Sequence, residues 1–176
     1  MLQTIYQTQK KMKKLIAFTT LLISTFSWSQ QEISIDIGDA LVMKSLDISY
    51  EYYISDQSSV GVSALFNFEG KTSDFRYNEE SMFTPFFRHY FTKNRTWNYF
   101  GEVFFGINNG ENTIEVSGVQ QIENYTDGAL GISIGSKYVS NGGFTVSVLA
   151  GIGRNMFTDT APVVVPRVGL NIGYNF

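Results

Sequence analysis

From about residue 44 to the last residue, apolar and polar side chains alternate with a period of two, segment after segment. "SLDISYEYYI" puts Leu46, Ile48, Tyr50, Tyr52 and Ile54 on one face and Ser45, Asp47, Ser49, Glu51 and Tyr53 on the other. "VGVSALFNF" sets Val60, Val62, Ala64, Phe66 and Phe68 against Gly61, Ser63, Leu65 and Asn67, and "FTVSVLAGI" sets Phe144, Val146, Val148, Ala150 and Ile152 against Thr145, Ser147, Leu149 and Gly151. "LGISIGSKY" follows the same rule. The tail "PRVGLNIGYNF" sets Val168, Leu170, Ile172, Tyr174 and Phe176 against Arg167, Gly169, Asn171, Gly173 and Asn175. Such alternation specifies strands with two chemically different faces. No apolar run approaches the length of a membrane-spanning helix.

Eight strands are expected, at roughly 32–42, 44–55, 59–69, 81–92, 98–109, 127–139, 143–155 and 163–176. Each has about the length of a tilted strand crossing a bilayer. "SDQSS", "TKNRTWN" and "SNGG" read as tight turns. "EGKTSDFRYNEES", "NNGENTIEVSGVQQIENYT" and "NMFTDTAPV" read as longer loops. Short turns at one end and long loops at the other are the pattern of outer-membrane barrels. The first connection, around Ala40 to Lys44, is short where a long loop is expected. The fold class is therefore all-β: an eight-stranded antiparallel up-and-down transmembrane β-barrel. A soluble lipocalin-like barrel is the alternative, with the apolar face turned inward. Export, loop asymmetry and a polar face rich in Gly, Ser and Asn favour the membrane form. So do aromatics near the short-turn end, expected as a girdle: Tyr52, Tyr53, Tyr90, Phe91, Tyr99, Phe100, Tyr138, Phe144, Tyr174 and Phe176.

The export signal precedes the alternation. Lys10, Lys11, Lys13 and Lys14 stand before a largely apolar run from Leu15 to Phe26, and Ser27 and Ser29 suit a cleavage site before Gln30. Residues 1–29 are expected to be a signal peptide, with Met12 an alternative start, and 30–176 the barrel. Losing four lysines and no acids takes the formal net charge from −3 to −7. That excludes a basic nucleic-acid footprint. The absence of cysteine excludes disulfides, thiolate metal sites and a lipid anchor on an N-terminal cysteine.

With the apolar face outward, the lumen receives Asp36, Asp47, Glu51, Arg88, Glu102, Lys137 and Arg167. Opposite charges in a narrow lumen must pair, because an unpaired buried charge is costly. A salt-bridge plug is the expectation, and a minor pore the alternative. The single histidine, His89, follows inward-facing Arg88 and so points outward. A lipid-modifying barrel enzyme would need a Ser–His–carboxylate cluster, and none is legible. No metal site or cofactor is expected, and no catalytic residue. The long loops are acidic: Glu69, Asp74, Glu79 and Glu80 against Lys71 and Arg76 in 69–80, and Glu111, Glu115 and Glu123 in 108–126. They could share divalent cations with lipopolysaccharide phosphates. Sequons stand at Asn94 and Asn124.

The stretches "SYEYYISDQSSVGVS", "FTPFFRHYF", "GIGRN" and "PRVGLNIGYNF" resemble the small eight-stranded outer-membrane barrels of the OmpA/OmpX type, within a poorly characterised group of short Gram-negative barrels. The resemblance implies a monomer in the outer membrane, in contact with its lipid and lipopolysaccharide. The alternating tail, Leu170, Ile172, Tyr174 and Phe176, resembles the C-terminal signal read by the barrel-insertion machinery. No enzymatic role is implied. Envelope integrity or surface interaction is.

Overall fold

The computed structural model describes residues 31–68, 79–92, 96–116 and 119–176. The signal peptide, most of the 69–80 loop and Asn94 lie outside the described residues. Eight strands follow one another: β1 Gln31–Asp36, β2 Ser45–Ser55, β3 Ser58–Asn67, β4 Glu79–Tyr90, β5 Trp97–Val116, β6 Val119–Val139, β7 Phe144–Asn155 and β8 Val164–Asn175. Each pairs antiparallel with the next, and β8 returns to β1, closing the barrel. At the seam Ile33 faces Tyr174 and Ile35 faces Ile172. Gln31 and Phe176 exchange backbone hydrogen bonds of 3.1 and 2.8 Å. Closure leaves no exposed strand edge around the barrel wall, as a chain in lipid requires.

The apolar face is the outer one. Ile134 is 71% exposed, Ile132 64% and Val168 60%. Ser59, Ser63, Thr84, Ser133 and Thr145 are buried in the lumen. This overturns the soluble, inverted alternative. Three aromatics depart from the expected girdle. Tyr90 and Phe100 are buried inside the barrel, and the Tyr53 ring stacks on that of Tyr90 at 5.8 Å. Their parity along the strands, shared with Glu51, Arg88 and Glu102, decides their side, and their aromatic character does not. Phe91, Tyr99, Phe144, Tyr174 and Phe176 remain outward and exposed.

Three boundaries differ from those expected. β1 stops at Asp36, because the Asp36 carboxylate accepts the backbone N–H of Asp39 at 3.0 Å and starts a helical turn, Asp39–Met43. The turn ends at Lys44 in a left-handed conformation, φ 50°. The longest expected loop is instead a hairpin. β5 and β6 stay paired from Trp97↔Tyr138 out to Val116↔Val119. Glu111 and Glu115 thus stand in strand register with Asn124 and Gln120. The hairpin is braced by the Asn112 amide, which donates to the Thr160 carbonyl at 2.7 Å. Pro85, mid-β4, lacks a donor; the β4–β5 ladder is interrupted between Phe83↔Ile107 and Phe86↔Phe104.

The 155–164 connection is tied down by one carboxylate. Asp127 accepts N–H bonds from Phe157 and Thr158 at 2.9 Å, and the Thr158 hydroxyl at 2.9 Å. Asp127→Ala should make this loop a preferred proteinase K site in the folded protein. A cleavage rate equal to wild type would show that the remaining contacts, among them Asn112 to Thr160, hold it without Asp127.

Candidate functional site

The half of the lumen nearer the two termini is filled by charge. Arg88 stands on β4 opposite Glu102 on β5. Its Nε and Nη2 donate to one Glu102 oxygen at 3.0 and 2.6 Å, and its Nη1 donates to Glu51 Oε2 at 2.7 Å. The guanidinium lies 4.2 Å from the centre of the Phe100 ring and 4.8 Å from that of Phe86, within cation–π range of both. Lys137, on β6, is 1% exposed. Its Nζ donates to Glu51 at 2.6 Å, Glu32 at 3.0 Å and the Tyr53 hydroxyl at 3.2 Å. Arg167, on β8, donates from Nε to Glu102 Oε1 at 2.9 Å and from Nη1 to Ser63 at 3.4 Å.

The acceptors are as fully engaged as the donors. Glu51 Oε1 takes the hydroxyls of Ser59 and Tyr90, and Oε2 takes Arg88 and Lys137. Glu102 Oε1 takes Ser133 and Arg167. Three cations therefore meet three carboxylates, Glu32, Glu51 and Glu102, and the charges cancel. Buried ions in this arrangement retain the hydrogen bonds that water would have supplied.

Asp36 and Asp47 stand apart from the ion pairs. Asp36 takes the backbone N–H of Asp39 and of Leu170, and so holds a turn. Asp47 lines a cavity of about 20 Å³ together with Asp36, Ser49 and Arg167, and its Oδ1 has no hydrogen-bond partner. A second cavity, of about 30 Å³, lies by Asp39, Thr84 and Arg167. Each has room for about a water or two. On the other side of the plug a wider vestibule of about 540 Å³ opens between Lys137, Tyr90, Asn98 and the turn at Asn141–Gly143.

Glu32 was not singled out in the sequence, although it shares the parity of Asp36 on β1. The hydroxyls of Tyr53, Tyr90, Ser59 and Ser133 were also missed as plug members. Strand parity alone would have found Glu32, whereas the hydroxyl partners depend on which strands lie across the lumen from one another. His89 points outward, with Nδ1 3.0 Å from the Ser58 hydroxyl and its ring edge-on to Phe91. Among the described residues no ion pair orients that ring, and no cluster of metal-ligating side chains is present.

A closed ring of eight strands, apolar outside and charged within, has counterparts among solved structures. The N-terminal β-barrel domain of Pseudomonas aeruginosa OprF superposes with a TM-score of 0.56 at 13% identity, covering 84% of this chain and 96% of that one. Neisserial surface protein A superposes with a TM-score of 0.51 at 13% identity, covering 84% and 94%. The chain is an eight-stranded outer-membrane-type barrel. No protein family matches its sequence, and no curated protein does either. In this barrel the exposed isoleucines and valines form the outer wall, and the charge cluster lies in the lumen.

Proposed function

We propose that the protein is a non-enzymatic outer-membrane barrel, a monomer, that serves envelope integrity or surface interaction with its lumen shut by the Arg88–Lys137–Arg167 charge plug. The observation that carries this reading is the neutral arrangement of three cations and three carboxylates, with water-sized cavities beyond it among the described residues. Purified protein in planar bilayers should show no sustained single-channel conductance. Steady open-channel steps would overturn the plug and favour a minor pore. The open vestibule beneath Lys137 is the feature that favours that second reading.

The reading places both termini in the periplasm and the connections near Gln120 and Asp159 outside, as it does Ser73, which lies outside the described residues. Cysteines introduced at these positions should react with a membrane-impermeant biotin reagent on intact cells. Reaction at Ser58 or Asn141 instead would invert the topology. It also assigns Leu170, Ile172, Tyr174 and Phe176 to recognition by the insertion machinery. Deleting Phe176 should reduce outer-membrane yield more than trimming the β5–β6 hairpin. Undiminished yield would remove that assignment.

A further inference from the structure

The strand faces turned toward lipid carry almost no charge, and one exception stands at the outer end of β7. Arg154 is exposed, lies opposite Leu130 on β6 and Val164 on β8, and forms no ion pair with a described residue. The apolar surface continues past it: Met156, Phe157 and Val163 are all exposed, and the Phe157 ring lies against Gly128 on the outer wall. Arg154 is therefore bordered by apolar residues on both neighbouring strands and in the connection that follows it. From Arg154 a groove of about 580 Å³ runs down the wall toward the middle of the barrel, lined by Leu130, Ile132, Ile152, Val103 and Val164.

An arginine at the end of an apolar wall snorkels to the interface, where the nearest anions in a bilayer are lipid phosphates. The shallow, open trough beside it is lined by apolar side chains, as a hydrocarbon chain requires. We propose that this site binds an acylated lipid with an anionic phosphate headgroup in the outer leaflet, the phosphate on Arg154 and one acyl chain along Ile132 and Ile152. Arginine suits the headgroup because its planar fork donates to two phosphate oxygens at once. The proposal needs only a bilayer-embedded barrel, so its test is separate from that of the lumen plug.

The test uses the full barrel, refolded into nanodiscs of equimolar phosphatidylglycerol and phosphatidylcholine, with lipid retained on the released protein counted by native mass spectrometry. Wild type should retain phosphatidylglycerol over phosphatidylcholine by about fivefold, the ratio expected from one basic residue near an anionic surface. Arg154→Gln should bring the ratio to parity, and Arg154→Lys should keep most of it. Ile152→Trp, which fills the groove and leaves the charge, should also bring it toward parity. Both positions face outward, and the heat-sensitive folded gel band verifies that each variant closes. Equal retention of the two lipids by wild type overturns the proposal, and so does unchanged preference in Arg154→Gln. Unchanged preference in Ile152→Trp overturns the chain seat.

Discussion

Arg88→Met is expected to destabilise the folded barrel by about 3–5 kcal/mol, the range for breaking a buried ion pair by removing one partner. Methionine keeps much of the volume between Phe86 and Phe100, so the loss reports charge more than packing. Glu51 would keep Lys137, Ser59 and Tyr90, and Glu102 would keep Arg167 and Ser133. The plug would nevertheless hold three carboxylates against two cations. Glu102→Gln in the Arg88→Met background restores neutrality, and it should recover part of the loss because contacting residues are non-additive. The temperature at which the folded gel band disappears measures both changes. If Arg88→Met melts with wild type, Arg88 is solvated and the plug carries no stability. If it gains conductance in planar bilayers, the cluster is a gate.

The second large effect is steric. A Cβ on Gly135 would collide with the Phe100 ring and stand 2.5 Å from the Val148 carbonyl oxygen of β7. The ring can turn, but the carbonyl belongs to the β6–β7 ladder and cannot move without breaking it. Gly135→Val should cost at least the ~1–3 kcal/mol typical of overpacking, and the folded band should be weak or missing. Gly142, in the β6–β7 turn, has nothing within 4 Å of the equivalent position. Gly142→Val is the matched control and should fold normally. Phe100→Leu with Gly135→Val should recover only the share due to the ring. Equal folding of the two valine variants would show that the wall spreads at Gly135 to admit a side chain.

Period-two alternation was enough to place the strands and their faces wherever it ran unbroken, as in Val60 to Phe66 and Phe144 to Ile152. It also separated Arg88 from His89 correctly, since adjacent residues in a strand must face opposite ways. It failed where composition was given more weight than position. Tyr53, Tyr90 and Phe100 were assigned to a girdle because they are aromatic, although each shares the parity of an inward charge. The β5–β6 hairpin was missed for a similar reason. "NNGENT" has the composition of a turn, and the bond from Asn112 to Thr160 that braces it joins residues far apart in sequence. Which carboxylate meets which cation was illegible for geometric reasons. Only Arg88–Glu102 joins neighbouring strands. The other pairs cross the lumen, and their distances depend on the girth of the closed ring.

That pattern of pairing has a consequence for how the barrel is made. Lys137 on β6 bonds Glu32 on β1 and Glu51 on β2, while Arg167 on β8 bonds Glu102 on β5. A sheet that has not yet curled leaves these five ions without most of their counterions, and they must stay hydrated. An open intermediate therefore cannot enter the hydrocarbon with its inner face dry. The final meeting of β8 with β1 brings the cations and carboxylates of the plug together in one step. Contacts between residues a hundred positions apart make such closure slow. In exchange, a partly zipped sheet gains little from its inner ions until the last strand arrives, which favours closure as a single cooperative event.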